Sequence, residues 1–226
     1  MNSILHLPNG GKVNIGHYKY SLANPLRSLR SDGLIIEGLW GFNDLGGYFG
    51  REIIELLGVG EDVIRKTCSE KIEKCQQITV VALRSLNAVG TLKSVAFLPT
   101  EAFRCCENIR DKKYGLPNKD FYYSVTYEAL ELLAGHGCSS VAIANLTGYN
   151  YYHKNIGNCV AEAIAHFAID NRTLQSIFSI GGGPDLTYGV TYFNENPELI
   201  GRHRSVVREV HFGKYCSFTN ISLPHP

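Results

Sequence analysis

Residues 140–167 read SVAIANLTGYNYYHKNIGNCVAEAIAHF, and the interpretation of the whole chain starts from this stretch. SVAIANL is a short, mostly apolar run, which is typical of a strand buried on both faces. A small-residue turn, Thr147-Gly148, follows it. A helix is then predicted over 155–170, because apolar residues recur there at helical spacing: Ile156, Val160, Ala163, Ile164 and Phe167. Strand, turn and helix in this order predict one unit of an α/β fold.

The same order of strand, glycine turn and helix occurs earlier in the chain. DGLIIEG at 32–38 predicts a buried strand, a Gly-rich loop follows, and REIIELLG at 51–58 predicts a short helix. Helices are also predicted over 61–77 and 121–134. Further strands are predicted over 3–7, 12–18, 78–83, 94–98 and 176–180. We therefore expect an α/β fold with a mixed or parallel sheet that is covered on both faces.

Two turns bound these strands. PNGG at 8–11 separates the first two strands and predicts a hairpin, because Asn-Gly readily adopts positive φ. GGGP at 181–184 ends the strand over 176–180.

The tail has a different pattern. VTYF at 190–193 and SVVREVHFGKYCSF at 205–218 alternate like strands. We expect residues 1–188 to form one domain and residues 189–226 to form a β-rich C-terminal extension packed on it. This extension could lengthen the sheet, form a small hairpin or cover a ligand cleft.

Composition excludes several classes of protein. Of the 226 residues 44% are hydrophobic and 19% charged, which fits a globular chain with a sizeable core. The net charge of +1 gives no support for a DNA partner. No apolar stretch approaches the ~18 residues of a membrane span, and the first residues do not resemble a signal peptide. Seven Cys without CxxC pairs indicate reduced thiols. We expect a cytoplasmic protein without a membrane partner.

The two glycine turns are candidate phosphate-binding loops. Glycines let backbone N–H groups approach a phosphate, and the following helix N-terminus adds partial positive charge. Two such loops side by side could hold a diphosphate. The tyrosines at 149, 151 and 152 could contact a ribose. The alternatives are that Gly46-Gly47 is only a tight turn and that the tyrosines only pack.

Together these segments resemble the macro domain family, which binds ADP-ribose. The resemblance implies a three-layer α/β/α fold with a mixed sheet. A family strand of the form D-A-I-V-N-A-A-N leads to G-G-G-V-x-x-A-I. Here DGLII at 32–36 leads to GGYFGREI at 46–53. The family's later segment P-A-I-G-T-G-I-F-G-Y-P-K, followed by a helix ending A-I-x-x-F, corresponds to ANLTGYNYYHK at 144–154 and AIAHF at 163–167. The resemblance spans roughly residues 12–180.

The resemblance implies a set of site residues. Glu52 and Asn43 would be the catalytic candidates. The ligand, ADP-ribose or a related nucleotide, free or on an ADP-ribosylated protein, would be bound by Asp32, Gly46, Gly47, Tyr48, Phe49, Gly50, Thr147, Gly148, Tyr149, Asn150, Tyr152 and His17. No cofactor is expected.

Several positions depart from the family pattern. The family's adenine-contacting Asp corresponds to the Gly16-His17-Tyr18 segment, which has no carboxylate. The first Gly-rich loop has Gly50 where the hydrolytic branch has a water-positioning Asp, and Asn150 replaces a ribose-stacking aromatic. The Gln-Glu-Glu run of the poly(ADP-ribose) glycohydrolases is absent, although Glu52 and Glu55 follow the glycines.

We therefore expect nucleotide binding with weak or no hydrolase activity. The alternatives are an ADP-ribosyl hydrolase that removes ADP-ribose from a carrier, and a ligand-free scaffold for protein interactions. The cysteines and histidines leave open a Cys/His nucleophile pair, because its partners need only meet in space, but inert packing is the favoured interpretation. His136-Gly137-Cys138 and Cys105-Cys106 lack the spacing of a zinc site, so no metal is expected.

Overall fold

The computed structural model describes residues 2–18, 29–38, 79–82, 91–99, 119–144, 154–180, 183–202 and 219–221. Within these residues, eight strands form one sheet in the order β1-β2-β7-β6-β3-β5-β4-β8. The strands are β1 (Asn2–His6), β2 (Lys12–Tyr18), β3 (Gly33–Gly38), β4 (Thr79–Ala82), β5 (Ser94–Pro99), β6 (Ser140–Ile143), β7 (Ser176–Ile180) and β8 (Thr219–Ile221). The described helices are α1 (Lys119–Gly135), α2 (Lys154–Asp170), α3 (Thr187–Glu195) and α4 (Pro197–Arg202). The helices predicted over 51–58 and 61–77 lie outside these residues.

β1 and β2 form the predicted hairpin. The strands are antiparallel, and Leu5 is paired with Val13. Gly10 has a φ of +79°, which suits glycine at this turn. The Leu7 N–H donates to the Gly11 carbonyl at 2.9 Å and closes the hairpin.

The centre of the sheet is parallel and covered on both faces, as the sequence predicts. β2, β7, β6, β3 and β5 run in the same direction, β4 is antiparallel to β5, and β8 is parallel to β4. Side chains alternate between the two faces of a strand. Consecutive Leu34 and Ile35 are both fully buried, so neither face of β3 meets solvent at these two positions.

α1 and α2 pack together over one face of the sheet. Their buried residues include Val125, Leu130, Val160 and Ile164, and these join Ile35 and other strand residues in one hydrophobic core. α1 was predicted over 121–134 and α2 over 155–170, within two residues of their ends in the structure. No helix in the described part of the chain has both the length and the apolar character to cross a membrane.

The tail corrects one prediction. VTYF at 190–193 lies in α3 and is not a strand. Val190 and Phe193 are buried whereas Thr191 and Tyr192 are exposed, which is a helical period. The β-branched and aromatic residues favour a strand. The burial of two residues three positions apart is instead the pattern of a helix.

The far end of the tail does join the sheet. β8 pairs with β4 and extends the sheet edge, one of the three arrangements expected for the extension. SVVREVHFGKYCSF, at 205–218, lies outside the described residues. The boundary after residue 188 stays a prediction, and it falls inside α3.

Candidate functional site

The two predicted loops leave the sheet from neighbouring strands. β3 and β6 are parallel and hydrogen-bonded, and Ile35 is paired with Ile143. The Ala144 N–H donates to the Ile35 carbonyl at 2.9 Å, so the pairing continues to the end of β6. Adjacent strands are about 4.8 Å apart. The chain therefore enters both predicted loops from the same edge of the sheet, where parallel α/β sheets bind ligands.

β7 and β2 extend this carboxyl edge on one side. His17 of β2 is paired with Ser179 of β7, and Ser179 is paired with Ile143 of β6. The His17 side chain is exposed, whereas Ser179 is buried. His17 thus lies near the carboxyl edge of the sheet, two strands away from β6.

Gly183 lies directly over the ends of β6 and β7. A Cβ atom there would overlap the Ile143 carbonyl oxygen and would lie 2.8 Å from Ser179 Oγ. The Ser179 hydroxyl donates to the Pro184 carbonyl at 2.7 Å. The GGGP sequence predicts only the end of a strand. The structure shows that its third glycine allows the chain to cross this edge closely.

The segment after Gly183 meets the first turn of α2. A Cβ atom at Gly157 would overlap the Asp185 carbonyl oxygen. The Asp185 carboxylate accepts the Thr187 N–H at 2.9 Å, at the start of α3. The first turn of α2 contains no acidic residue, so its partial positive charge is not offset there. α2 begins just after the second predicted loop, and this charge would favour an anion.

Two of the predicted site residues, Asp32 and His17, lie within the described part of the chain. The other predicted site residues lie outside it: Asn43, Gly46, Gly47, Tyr48, Phe49, Gly50, Glu52, Thr147, Gly148, Tyr149, Asn150 and Tyr152.

Asp32, which the resemblance assigns to the ligand, lies at the edge of the sheet opposite the two predicted loops. Asp32 precedes β3, whose six residues at about 3.3 Å each place it about 20 Å from the end that leads to the loop. Its carboxylate accepts the backbone N–H groups of Ser139 at 3.0 Å and Ser140 at 2.8 Å. The Lys93 ammonium lies 3.3 Å away. Asp32 therefore fastens the amino ends of the strands, at the edge opposite the candidate site.

The environment of Asp32 favours its ionised form. Burial raises the pKa of the Asp32 carboxyl, but hydrogen bonds from the backbone of Ser139 and Ser140, from the Ser140 hydroxyl and from Lys93 together outweigh it. The net pKa lies below the ordinary value of 3.8. The carboxylate is thus a charged, multiply bonded structural group.

The same amino edge holds the Cys and His that the sequence singled out. Cys138 Sγ donates to the Asp32 carbonyl at 3.3 Å, and Ser94 Oγ lies 3.0 Å from His136 Nδ1. Burial, and next the charge of Asp32, raise the pKa of the Cys138 thiol from 9.0 to about 11. A thiol with this pKa is a poor nucleophile near neutral pH. In the described ranges, no three His, Cys, Asp or Glu residues are grouped as a metal would require.

Comparison with known proteins identifies similar solved structures. No family model and no curated protein matches the sequence. A mutant macrodomain of Oceanobacillus iheyensis shares 12% identity over 86% of this chain and 98% of its own, with a TM-score of 0.55. A second mutant, solved with ADPR, shares 11% identity over 88% of this chain and 98% of its own, with a TM-score of 0.52. The chain has the macro-domain fold.

The macro-domain fold agrees with the resemblance found in the sequence motifs. At these identities the similarity concerns architecture only. A tomato leucine aminopeptidase mutant has a TM-score of 0.52 and 14% identity over 81% of this chain. The match covers only 36% of that enzyme, so the macro-domain fold here corresponds to about a third of its length.

Proposed function

We propose that this chain binds ADP-ribose or a related nucleotide diphosphate at the carboxyl edge of its sheet. The observation that carries the proposal is the parallel pairing of β3 with β6, which starts both glycine loops from adjacent strands. Backbone N–H groups at 46–50 and 147–149 would bind the diphosphate. Such a cradle requires small residues and the correct turns, and it does not require particular side chains.

Two further observations support an anionic ligand. The N-terminus of α2 follows the second loop and has no acidic residue in its first turn. A macrodomain with the same fold has been solved with ADPR. Both favour an anionic nucleotide as the ligand.

Calorimetric titration and thermal denaturation with ADP-ribose, ADP, AMP and ribose 5-phosphate test the proposal. We expect binding of ADP-ribose and ADP, with weaker binding of the two monophosphates, because two adjacent loops match two phosphates. A ligand at 100 times its Kd adds about 2.7 kcal/mol to the free energy of unfolding.

Loop variants link the binding to the proposed residues. Gly47→Glu and Gly148→Glu introduce a carboxylate into each predicted phosphate cradle, and each should abolish the shift caused by ADP-ribose. Gly135→Ala, at the end of α1, is the matched control and should bind like the wild type. If folded wild-type protein gives no shift with any nucleotide, the ligand-free scaffold becomes the better description.

His17 is the residue through which base selectivity can be tested. It is exposed at the carboxyl edge, and the motif resemblance gives it the place of the family's adenine-contacting Asp. We expect His17→Asp to increase the affinity for ADP-ribose relative to GDP, and His17→Ala to leave diphosphate binding largely intact. If each variant changes the affinities for ADP-ribose and GDP by the same factor, His17 lies outside the part of the site that selects the base.

Hydrolysis requires a separate measurement. The candidate residues Glu52 and Asn43 would have to orient water on an ADP-ribosylated protein, and the hydrolytic Asp of the family corresponds to Gly50 here. We therefore propose binding with weak or no turnover. Release of ADP-ribose from a mono-ADP-ribosylated protein, with Glu52→Gln and Asn43→Ala as comparisons, decides between binder and hydrolase.

A further inference from the structure

The outer edge of β1 is occupied by a side chain of α3. The Leu7 N–H and its pairing with Gly11 show that odd-numbered residues of β1 point their backbone groups toward β2. The backbone groups of Ile4 and His6 therefore point away from the sheet. The Asn194 Nδ2 donates to the Ile4 carbonyl at 2.8 Å, and the His6 N–H donates to Asn194 Oδ1 at 2.9 Å.

These two bonds imitate a neighbouring strand. A carboxamide carries the same donor and acceptor as a peptide unit. In a parallel pair, one residue donates its N–H to one carbonyl and accepts the N–H two positions further on. Asn194 does this with Ile4 and His6, so its side chain takes the place of one residue of a ninth strand.

β1 has few other features that protect a sheet edge. Natural edge strands carry charges or Pro, which prevent pairing with another chain. The sequence NSILH contains no Pro, Lys, Arg, Asp or Glu. Ile4, whose backbone points outward, is 42% exposed. Among the described residues, removal of Asn194 would leave these backbone groups open beside an exposed apolar side chain.

We propose that α3 is an edge cap, and that withdrawal of Asn194 opens β1 to β1 of a second copy of this chain. The occupant follows from the sequence of the strand. Two-fold antiparallel pairing centred on Ile4 would place the two Ile4 residues opposite each other and His6 opposite Asn2. This arrangement buries the exposed apolar residue and brings no like charges together.

Sedimentation velocity over a range of concentrations tests the edge cap. Asn194→Ala should associate more than the wild type, with a mass that approaches twice that of the monomer as concentration rises. Asn196→Ala is the matched control, because its amide donates to the Tyr192 carbonyl at 2.9 Å within the same helix region. The control should sediment like the wild type.

A second substitution shows which surface is responsible. Ile4→Lys in the Asn194→Ala background places charges opposite each other at the centre of the pair and should restore the wild-type mass. Hydrogen exchange should show a protected Ile4 amide in associated Asn194→Ala. Association that Ile4→Lys does not reduce would contradict the proposal.

An isosteric variant separates loss of the Asn194 hydrogen bond from loss of helix α3. Asn194→Asp keeps the shape but cannot donate to the Ile4 carbonyl, so it should also associate more than the wild type. Circular dichroism establishes whether each variant is folded. Folded Asn194→Ala and Asn194→Asp with the mass of the wild type at all concentrations would overturn the proposal.

Discussion

The carboxylate of Asp32 accepts the backbone N–H of Ser140 at 2.8 Å and thereby joins the amino ends of β3 and β6. Ser140 also donates its hydroxyl to the same carboxylate at 3.0 Å. These bonds lie at the edge opposite the candidate site. They hold the register in which β3 and β6 reach the carboxyl edge as neighbours, so a structural group at one edge supports the geometry of the other.

Asp32→Asn should destabilise the protein by about 1–3 kcal/mol at neutral pH, because bonds to a buried charged acceptor are lost or weakened. Urea denaturation measures this loss. Asp185→Asn, which alters an exposed carboxylate at the start of α3, is the control for loss of one negative charge. An effect of Asp32→Asn no larger than that of the control would contradict the structural role.

The contribution of Asp32 should also depend on pH. Because the folded-state pKa lies below 3.8, the unfolded chain binds a proton more readily. The stabilisation is present above the unfolded pKa and is lost as the pH falls from about 4 toward the lower folded-state pKa. The difference in free energy of unfolding between wild type and Asp32→Asn should therefore shrink over this range. A difference that stays constant from pH 7 to pH 3 would argue against it.

Gly157→Ala and Gly183→Ala should each cost about 1–3 kcal/mol, because the added methyl group overlaps a backbone carbonyl in both cases. Gly135→Ala, where no atom lies within 4 Å of the new Cβ, should be neutral or stabilising by up to about 1 kcal/mol. Thermal denaturation of the three variants compares them directly. Equal melting temperatures would show that the chain is not closely packed at the carboxyl edge.

Cys138 should react slowly with iodoacetamide in the folded protein. With a pKa of about 11, about one thiol in a thousand is ionised at pH 8, and the side chain is 2% exposed. Mass spectrometry of alkylated peptides measures the rate, and the denatured protein provides the reference. Alkylation of folded Cys138 at the rate of the denatured chain would contradict the buried, protonated thiol.

Tyr123→Phe should destabilise the protein by about 1–3 kcal/mol. The Tyr123 hydroxyl lies 2.6 Å from Nδ1 of the fully buried His166, whose Nε2 contacts the Ile200 carbonyl in α4. Loss of the hydroxyl removes a hydrogen bond from a buried imidazole, which is costly. Chemical denaturation measures the change.

Tyr127→Phe is the matched control for Tyr123→Phe. Its hydroxyl donates to Asp170 Oδ2 at 3.2 Å, and Asp170 is exposed, so water can replace the lost bond. We expect a cost below about 1 kcal/mol. If Tyr127→Phe destabilises the protein as much as Tyr123→Phe, the burial of His166 does not account for the destabilisation by Tyr123→Phe.

Some features of the site could be predicted and others could not. The glycine turns follow buried strands, so their place after a strand end was visible in the sequence. The role of Asp32 was not visible in the sequence. DGLII matches a family motif, but the partners Ser139 and Ser140 lie more than a hundred positions away. GGGP at 181–184 predicts a strand end, whereas the contact of Gly183 with Ile143 depends on the packing of β6 and β7.

The sequence by itself determined the elements whose causes are local. Apolar runs predicted the buried strands, apolar spacing predicted α1 and α2, and Asn9-Gly10 predicted the first hairpin. Only the tertiary structure decided which distant groups meet. Asn194 reaches Ile4 across 190 positions, and Asp32 reaches Ser140 across 108. Hydrophobic periodicity reports which face of an element is buried, but hydrogen bonds between distant residues depend on strand order and register, which no local pattern encodes.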